Sequence, residues 1–491
     1  MQDSGIGMNR GLVDVTPDVR LLSVLRATGV NLNTAVGEIL DNSIDAGANE
    51  IDLYVYNNDR NKSNIMIVDN GKGMNDATLR GSLTLAKELK LGINQLGKYG
   101  MGMKTAALSL STQFEIFTQK ASGEVLYGEY NINKMEQLGQ FKTTVRLANE
   151  EETSFFKSKL GRRQRSGTII VIKNADRLDV THQTFVRQMQ SFIGLTYKNF
   201  IKRGIAFTVN DVPAKGEKIE AIDVLMRENK KTFVVAERDH YVVEYSASKT
   251  KQIKNTSIEV SATVLPKPDH NSKGKKIDGK DVQLPLNQTN QGIYFYREGR
   301  LVGQALNWHN VFGEKHNEKN RLRIEINCKS ELDQEINMNF LKGNVYPTTQ
   351  LKNQLSEIIE PYMAEMREKL HLEEKKELAA KAKKIASGLQ KQRKIEMIIP
   401  GSVVNGKQRP TSIDKVKVGS KIEKTINNKA VSKTVITKGN SESNNTVRDI
   451  KKLLVAAKEI RKLLEGKDVS EEVKNELRAE LGLAVAELQT V

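Results

Sequence analysis

The chain has 491 residues and a formal net charge of +17, with 38% hydrophobic and 28% charged residues. This length exceeds one ordinary domain and points to about three; the charge excess points to a polyanionic partner, nucleic acid before an anionic membrane surface. Cys328 is the single cysteine, which excludes an internal disulfide and a cysteine-based metal site and fits a reducing cytoplasm; there is neither a signal-peptide-like apolar start nor a run approaching a membrane span.

Residues 18–30 and 33–47 read as helices. In the second, Ala35, Val36, Ile39, Leu40 and Ile44 share one face. Two apolar β-rich runs follow, 51–56 and 65–68, then a Gly-rich turn from Asp69 to Met74. Residues 75–86 read as helical, 92–102 as a flexible glycine stretch, and a small-residue helix starts near Lys104. Further strands are expected at 114–118, 125–130, 142–147 and 168–173. Interleaved helices and strands set the class as α/β or α+β. A connecting helix is expected at 184–202, and β-rich pattern returns from about 220 to 350 as a second domain. Its polar stretch 266–281 reads as a mobile loop. After Pro361 a charged helical pattern runs to about 395. Residues 401–440 hold nine Lys/Arg, two acidic residues and no aromatics, the composition of a flexible basic linker. Two amphipathic helices close the chain from 447, broken at Gly466–Lys467. A hairpin this small has little core of its own and is expected to dock on a partner or a second copy.

Chemistry concentrates in the first 180 residues. Spacings of three and four place Glu38, Asp41, Asn42 and Asp45 on nearly one helix face, opposite the apolar one. Such a face suits a hydrated Mg²⁺ with phosphates: an amide oxygen for the metal and a carboxylate base for water. An apolar strand then runs into Asp69-Asn70-Gly71-Lys72-Gly73-Met74. An acid at a strand end can accept from an amino group such as that of adenine, and the glycines let backbone pass close to a flat ring. Ordinary tight-turn chemistry explains the same residues. Next, Gly97, Gly100 and Gly102 precede a helix, with Lys104 in its first turn; free N–H groups there favour phosphate. Neither rival phosphate motif fits. The lysine after Gly102 is one position late for a Walker A loop, and Asp76 stands where a dinucleotide fingerprint needs glycine.

In order, E-x-x-D-N-x-x-D-A, D-N-G-K-G-M and G-K-Y-G-M-G resemble the GHKL (Bergerat-fold) ATPases: gyrase B subunits, heat-shock chaperones, MutL and MORC proteins. Ser166-Gly167-Thr168 resembles the strand closing that family's adenine pocket. The resemblance covers roughly residues 15–180. It implies Glu38 as general base, Asn42 as Mg²⁺ ligand, and Asp69 as acceptor of the adenine amino hydrogen, helped by Thr168 through a water. Gly71, Gly73 and Met74 would line the adenine side; Gly97, Gly100, Gly102 and Lys104 would meet phosphate. Residues 80–103 would be a lid over ATP, with Asp41 and Asp45 in supporting roles. A weaker resemblance, carried by residues 292–304, is to the transducer domain (ribosomal S5 domain 2-like) that follows such ATPase domains. It implies a γ-phosphate lysine, for which Lys342 is the candidate. The expected architecture is therefore α+β: a GHKL α/β sandwich over 1–180, a connecting helix and transducer-like domain over 181–360, a charged helix over 361–395, a basic linker over 396–446 and a helical hairpin over 447–491.

Fold and ATP site do not dictate the output. The leading expectation is a cytoplasmic, ATP-gated dimeric clamp on double-stranded DNA, touched through the linker and the basic loop 157–165. An ATPase subunit of a multi-protein defence system overlaps with it. A chaperone or switch for protein clients is the alternative. A complete type II topoisomerase, a MutL-type endonuclease and a sensor histidine kinase are disfavoured. The chain shows no tyrosine after 395, no histidine beyond 371, and no histidine ahead of the Glu38 helix.

Overall fold

The computed structural model describes residues 17–27, 30–85, 96, 102–161, 165–211, 216–247, 252–308, 311–338 and 345–398, with side chains as far as residue 381. Gly97, Gly100, Lys342, the linker 401–440 and the hairpin 447–491 lie outside the described residues, as do 162–164 of the basic loop.

Two helices come first, α1 (Leu21–Arg26) and α2 (Leu32–Asp45). The Asn31 side chain accepts the Thr34 N–H at 2.9 Å and so satisfies an amide that the first turn of α2 leaves unpaired. Then follow β1 (Glu50–Asn57), β2 (Ser63–Asp69), α3 (Asp76–Leu83), α4 (Gly102–Leu110), β3 (Gln113–Gln119), β4 (Leu126–Asn131), α5 (Ile132–Leu138) and β5 (Val145–Leu147). Next come α6 (Glu150–Leu160), β6 (Gly167–Lys173), α7 (His182–Thr196), α8 (Lys198–Lys202) and β7 (Ala206–Asn210). Among the described residues the strands form one seven-stranded sheet in the order β5-β4-β3-β6-β2-β1-β7. Every pairing is antiparallel except β1 with β7. Alternation along β2 gives the layers. Ile65 and Ile67 join Val36, Ile39, Ala106 and Phe185 in the main core under α2, α4 and α7. Met66 and Val68 point the other way and pack with Phe156 of α6.

A second sheet is built from β8 (Phe233–Ala247), β9 (Gln252–Val264), β12 (Gly292–Arg297), β13 (Arg300–Leu306) and β14 (Leu322–Cys328), in the order β13-β12-β14-β9-β8. The short β10 (Lys276–Ile277) and β11 (Lys280–Asp281) pair beside it. The turn between β12 and β13 has positive φ at Glu298 (50°) and Gly299 (84°), the backbone of a two-residue hairpin turn. A long helix, α9 (Thr349–Ile398), closes the described chain. Residues to Met366 belong to one compact unit, and the helix from Arg367 belongs to another.

The α+β class and the helical C-terminal segment hold as expected. Several local expectations do not. The stretch 266–281 is folded, not a mobile loop: Asp269 accepts the N–H groups of Asp278 (2.9 Å) and Gly279 (2.7 Å), and Ile277 packs with Leu265 and Leu286. Its polar composition hid one buried isoleucine. Residues 157–160 are the last turn of α6, where lysines complement the helix dipole. The connecting helix is two helices, α7 and α8, separated at Tyr197. Helix α9 begins before Pro361 and continues through it, with Ile359, Met363 and Met366 buried on either side. Only Leu22 of α1 is buried, and the helix is correspondingly shorter than 18–30.

Candidate functional site

The alternation that sends Ile65 and Ile67 toward α2 sends Asp69 there too. Asp69 is 5% exposed. The Ser43 hydroxyl donates to Oδ2 at 3.0 Å and the Gly71 N–H donates to Oδ1 at 2.9 Å. Burial pushes its pKa up to about 6, while the Gly71 amide, the Ser43 hydroxyl and the Thr168 amide act in the opposite direction. Thr168 stands across the β2–β6 ladder from Asp69. Its hydroxyl lies 3.1 Å from that of Thr118. Thr118 Oγ1 donates to the Gly167 carbonyl at 3.1 Å and accepts the Met74 N–H at 2.9 Å. With its proton so committed, Thr118 receives the Thr168 proton. One hydroxyl thus ties β3, β6 and the turn after β2 together.

That turn is pressed against protein. A Cβ on Gly71 would lie 2.8 Å from Ala46 Cβ, and one on Gly73, whose φ is +61°, would lie 1.9 Å from the Gln119 carbonyl oxygen. The glycines are needed by the fold itself, besides any approach of a ligand.

Glu38 sits one turn before Asn42 on α2, and both lie ahead of Ser43. It is 5% exposed and abuts the start of α4: a Cβ on Gly102 would lie 2.0 Å from Glu38 Oε2. Asn42 is exposed. Asp45 accepts the Leu96 N–H at 3.0 Å. Lys104 is buried in α4, its ammonium donating to the Ser82 carbonyl at 2.7 Å, and burial lowers its pKa to about 8. Glu38, Asn42, Asp69, Gly71, Gly73, Met74, Gly102 and Thr168 therefore belong to one neighbourhood, where α2 and α4 meet the ends of β2, β3 and β6. Lys104 faces the end of α3 in this structure.

Asp41 is fully buried. Its Oδ1 accepts from Arg300 Nε at 2.7 Å. The Tyr197 hydroxyl lies 2.8 Å from the same oxygen and 2.9 Å from the Gly37 carbonyl, and gives its proton to one or the other. Ser43, Thr118, Tyr197 and Arg300 escaped the sequence reading. Ser43 was within reach of it, being five residues from Glu38 on the same helix. The other three come from distant segments, and although Arg300 lies within 292–304, nothing local tied it to α2.

Among the described residues, no three or more His, Cys, Asp or Glu are grouped to hold a metal by themselves. The donor set nevertheless fits Mg²⁺, which keeps several waters and takes few protein oxygens when phosphate is present. Asn42, an exposed residue, lies one helical turn from the buried Glu38.

Residues 30–168 match the family model described as histidine kinase-, DNA gyrase B-, and HSP90-like ATPase. Protein MICRORCHIDIA 5 of Arabidopsis thaliana is 34% identical over 91 residues, 17% of this chain and 13% of that protein. ATPase MORC2 of Homo sapiens is 30% identical over 90 residues, 18% of this chain and 9% of its own length. MORC family CW-type zinc finger protein 1 of Homo sapiens is 29% identical over 90 residues, with the same coverage. The similarity thus spans only 9–13% of the length of these relatives.

Proposed function

We propose that this chain, whose residues 30–168 belong to the GHKL superfamily of histidine-kinase-, gyrase-B- and HSP90-like ATPases, binds ATP with Mg²⁺ at the α2–β2–α4 site and hydrolyses it. The observation that carries the reading is the convergence of two buried carboxylates, Glu38 and Asp69, with the Gly71, Gly73 and Gly102 contacts and the Thr168 hydroxyl. Asp69 is the adenine anchor: a carboxylate already held by Ser43 and Gly71 keeps lone pairs for an amino group. Glu38 is the base. Water attacks the γ-phosphorus, the bond to the β–γ bridging oxygen breaks, and the water proton passes to the Glu38 carboxylate. Mg²⁺, when bound, neutralises developing phosphate charge; Asn42 would hold it. Lys342, Gly97 and Gly100 are proposed phosphate contacts on the family resemblance alone.

As the output we propose an ATP-gated homodimeric clamp on DNA. Its support is the +17 charge and the basic composition of 401–440, together with the similarity to MORC ATPases over 90 residues. Among the described residues no helix is long and apolar enough to cross a membrane.

The test is hydrolysis and nucleotide binding on the wild type and Glu38→Ala, with and without duplex DNA. Expected are Mg²⁺-dependent turnover, stimulation by DNA, a loss of at least about 100-fold in kcat for Glu38→Ala and retained ATP affinity. Undiminished turnover in Glu38→Ala removes Glu38 as the base. Turnover indifferent to DNA, with no DNA binding at low salt, removes the clamp and turns attention to a protein client.

A further inference from the structure

We propose that Arg300, which lies on the second sheet, is a positioning residue for ATP hydrolysis. It acts through Asp41 on the helix that carries Glu38, and the proposal rests on the ATPase reading above. Asp41 is three residues after Glu38, so the two carboxylates leave α2 on neighbouring sides. Arg300 reaches Asp41 across 259 residues of sequence at 2.7 Å, with both side chains buried. Burial works against the charge on Arg300, yet Asp41, Tyr197 and Glu38 together hold its pKa above the ordinary guanidinium value. Glu38 directly follows Gly37, against which this guanidinium packs.

The helix is shaped to admit the guanidinium. Gly37, immediately before Glu38, has no side chain, and a Cβ there would lie 3.1 Å from Arg300 Nη2 and 3.0 Å from Phe192 Cζ. Tyr197 closes the other side, its hydroxyl between the Gly37 carbonyl and Asp41. The arginine is itself fixed. It begins β13 directly after the two-residue turn, and the Gly299 carbonyl of that turn accepts from Asn199 Nδ2 of α8 at 3.0 Å. On the other flank of the turn, Arg297 makes two hydrogen bonds to Asp333, at 2.7 and 2.8 Å.

A buried ion pair by itself is weak evidence for more than structure, since such pairs are often replaceable by apolar groups. The junction offers an internal comparison. Lys198 of α8 is buried against Glu325 of β14 and also lies 3.8 Å from Asp223. It joins the same parts of the molecule, but its ion pairs run to Asp223 and Glu325 and not to α2. If burial and docking were the whole role of Arg300, the two pairs would behave alike. The difference is that only Arg300 places a fixed cation behind the base and holds α2 in one rotation about its axis. The second sheet would then govern the orientation and ionisation of the base, not the grip on the nucleotide.

The experiment measures steady-state kcat, ATP affinity by a fluorescent ATP analogue, and thermal melting on the full chain. The variants are Arg300→Met, Arg300→Lys, Asp41→Asn and the comparison Glu325→Gln. Arg300→Met is expected to lose about 30-fold or more in kcat while the affinity for the analogue changes by less than about threefold, the signature of an interaction used in the chemical step. Arg300→Lys should recover part of the rate, because it keeps the charge but not the planar fork. Asp41→Asn should resemble Arg300→Met, and the double variant should cost little more than either alone. Glu325→Gln should lower the melting temperature with kcat within about twofold of wild type. The proposal is overturned if Arg300→Met melts cooperatively and keeps its kcat, or if kcat across all four variants simply follows the loss of melting temperature. Should Arg300→Met fail to fold, Arg300→Lys decides: wild-type kcat at any melting temperature refutes the role. A wild type that neither binds the analogue nor hydrolyses ATP is a different failure, that of the ATPase reading itself.

Discussion

Asp69 is held as a carboxylate largely out of water, and burial has moved its pKa from 3.8 to about 6. Because the folded-state value lies above the unfolded one, the folded protein binds this proton more tightly than the unfolded chain does. The contribution of this group to stability is then fully present below about pH 4 and is lost as pH rises through about 6. Two pKa units amount to roughly 3 kcal/mol. Replacing Asp69 by Asn removes the ionisation cost but weakens the bonds from Ser43 and Gly71. We therefore expect Asp69→Asn to gain about 1–2 kcal/mol at pH 7 in denaturant unfolding without nucleotide. The same substitution should weaken ATP by about tenfold or more, and GTP by less. Equal loss of both nucleotides argues against an adenine contact. In the wild type, ATP affinity should fall as pH drops below about 6, and Asp69→Asn should flatten that dependence. The local motif around Asp69 was legible from sequence, because a strand, an acid and two glycines are contiguous. Of the ring of Ser43, Thr118 and Thr168, only Thr168 was legible: Thr118 arrives because β6 pairs with both β2 and β3, and Ser43 through the packing of α2 on the sheet.

At the scale of elements, two glycines with similar contact distances should behave differently. A methyl on Gly73 meets the Gln119 carbonyl oxygen at 1.9 Å at a φ of +61°, so backbone must move and left-handed strain is added. Gly73→Ala should cost about 2–4 kcal/mol, read as a lowered denaturation midpoint. A methyl on Gly102 meets Glu38 Oε2 at 2.0 Å, the far end of a side chain that can rotate. Gly102→Ala should cost less than about 1.5 kcal/mol yet lower kcat by about tenfold or more, because the base is displaced. Wild-type turnover in Gly102→Ala would place the working position of Glu38 elsewhere. Helix and strand positions in the first domain were largely readable where periodicity was strong, as in α2 and β2. Helices α5 and α6 and strand β7 carry no such periodicity. Helix α6 buries chiefly Phe156, and β7 is five residues long, so neither leaves much pattern. What β7 adds is visible only as topology: it pairs parallel to β1 at the sheet edge after the excursion through α7 and α8.

Across the whole molecule, the charge is unevenly placed. Residues 401–440 hold nine basic and two acidic residues, and they follow the charged helix α9. Removing residues 399–491 should lower DNA affinity and flatten its dependence on salt by several units of log–log slope, while basal hydrolysis persists. Unchanged DNA binding after the deletion would move the basic footprint to the folded sheets. Such a charge excess is legible in composition alone, which is additive along the chain and needs no tertiary information. The Asp41–Arg300 link is the opposite case. Asp41 lies in the acidic motif of α2 and Arg300 within 292–304, but nothing in either segment pairs them, and only the packing through α7, α8 and the β12–β13 turn brings them together. The same link has a consequence for biosynthesis. Asp41 has no exposed surface in the finished fold, and its guanidinium partner is made 259 residues later. At about 5–20 residues per second, the ribosome takes roughly 13–50 s to deliver it. During that interval the nucleotide-binding half cannot close around Asp41 with its counter-charge in place. Nascent chains shorter than about 300 residues should therefore remain open to proteases and to chaperones, and the first half of the protein should mature only once the second has emerged.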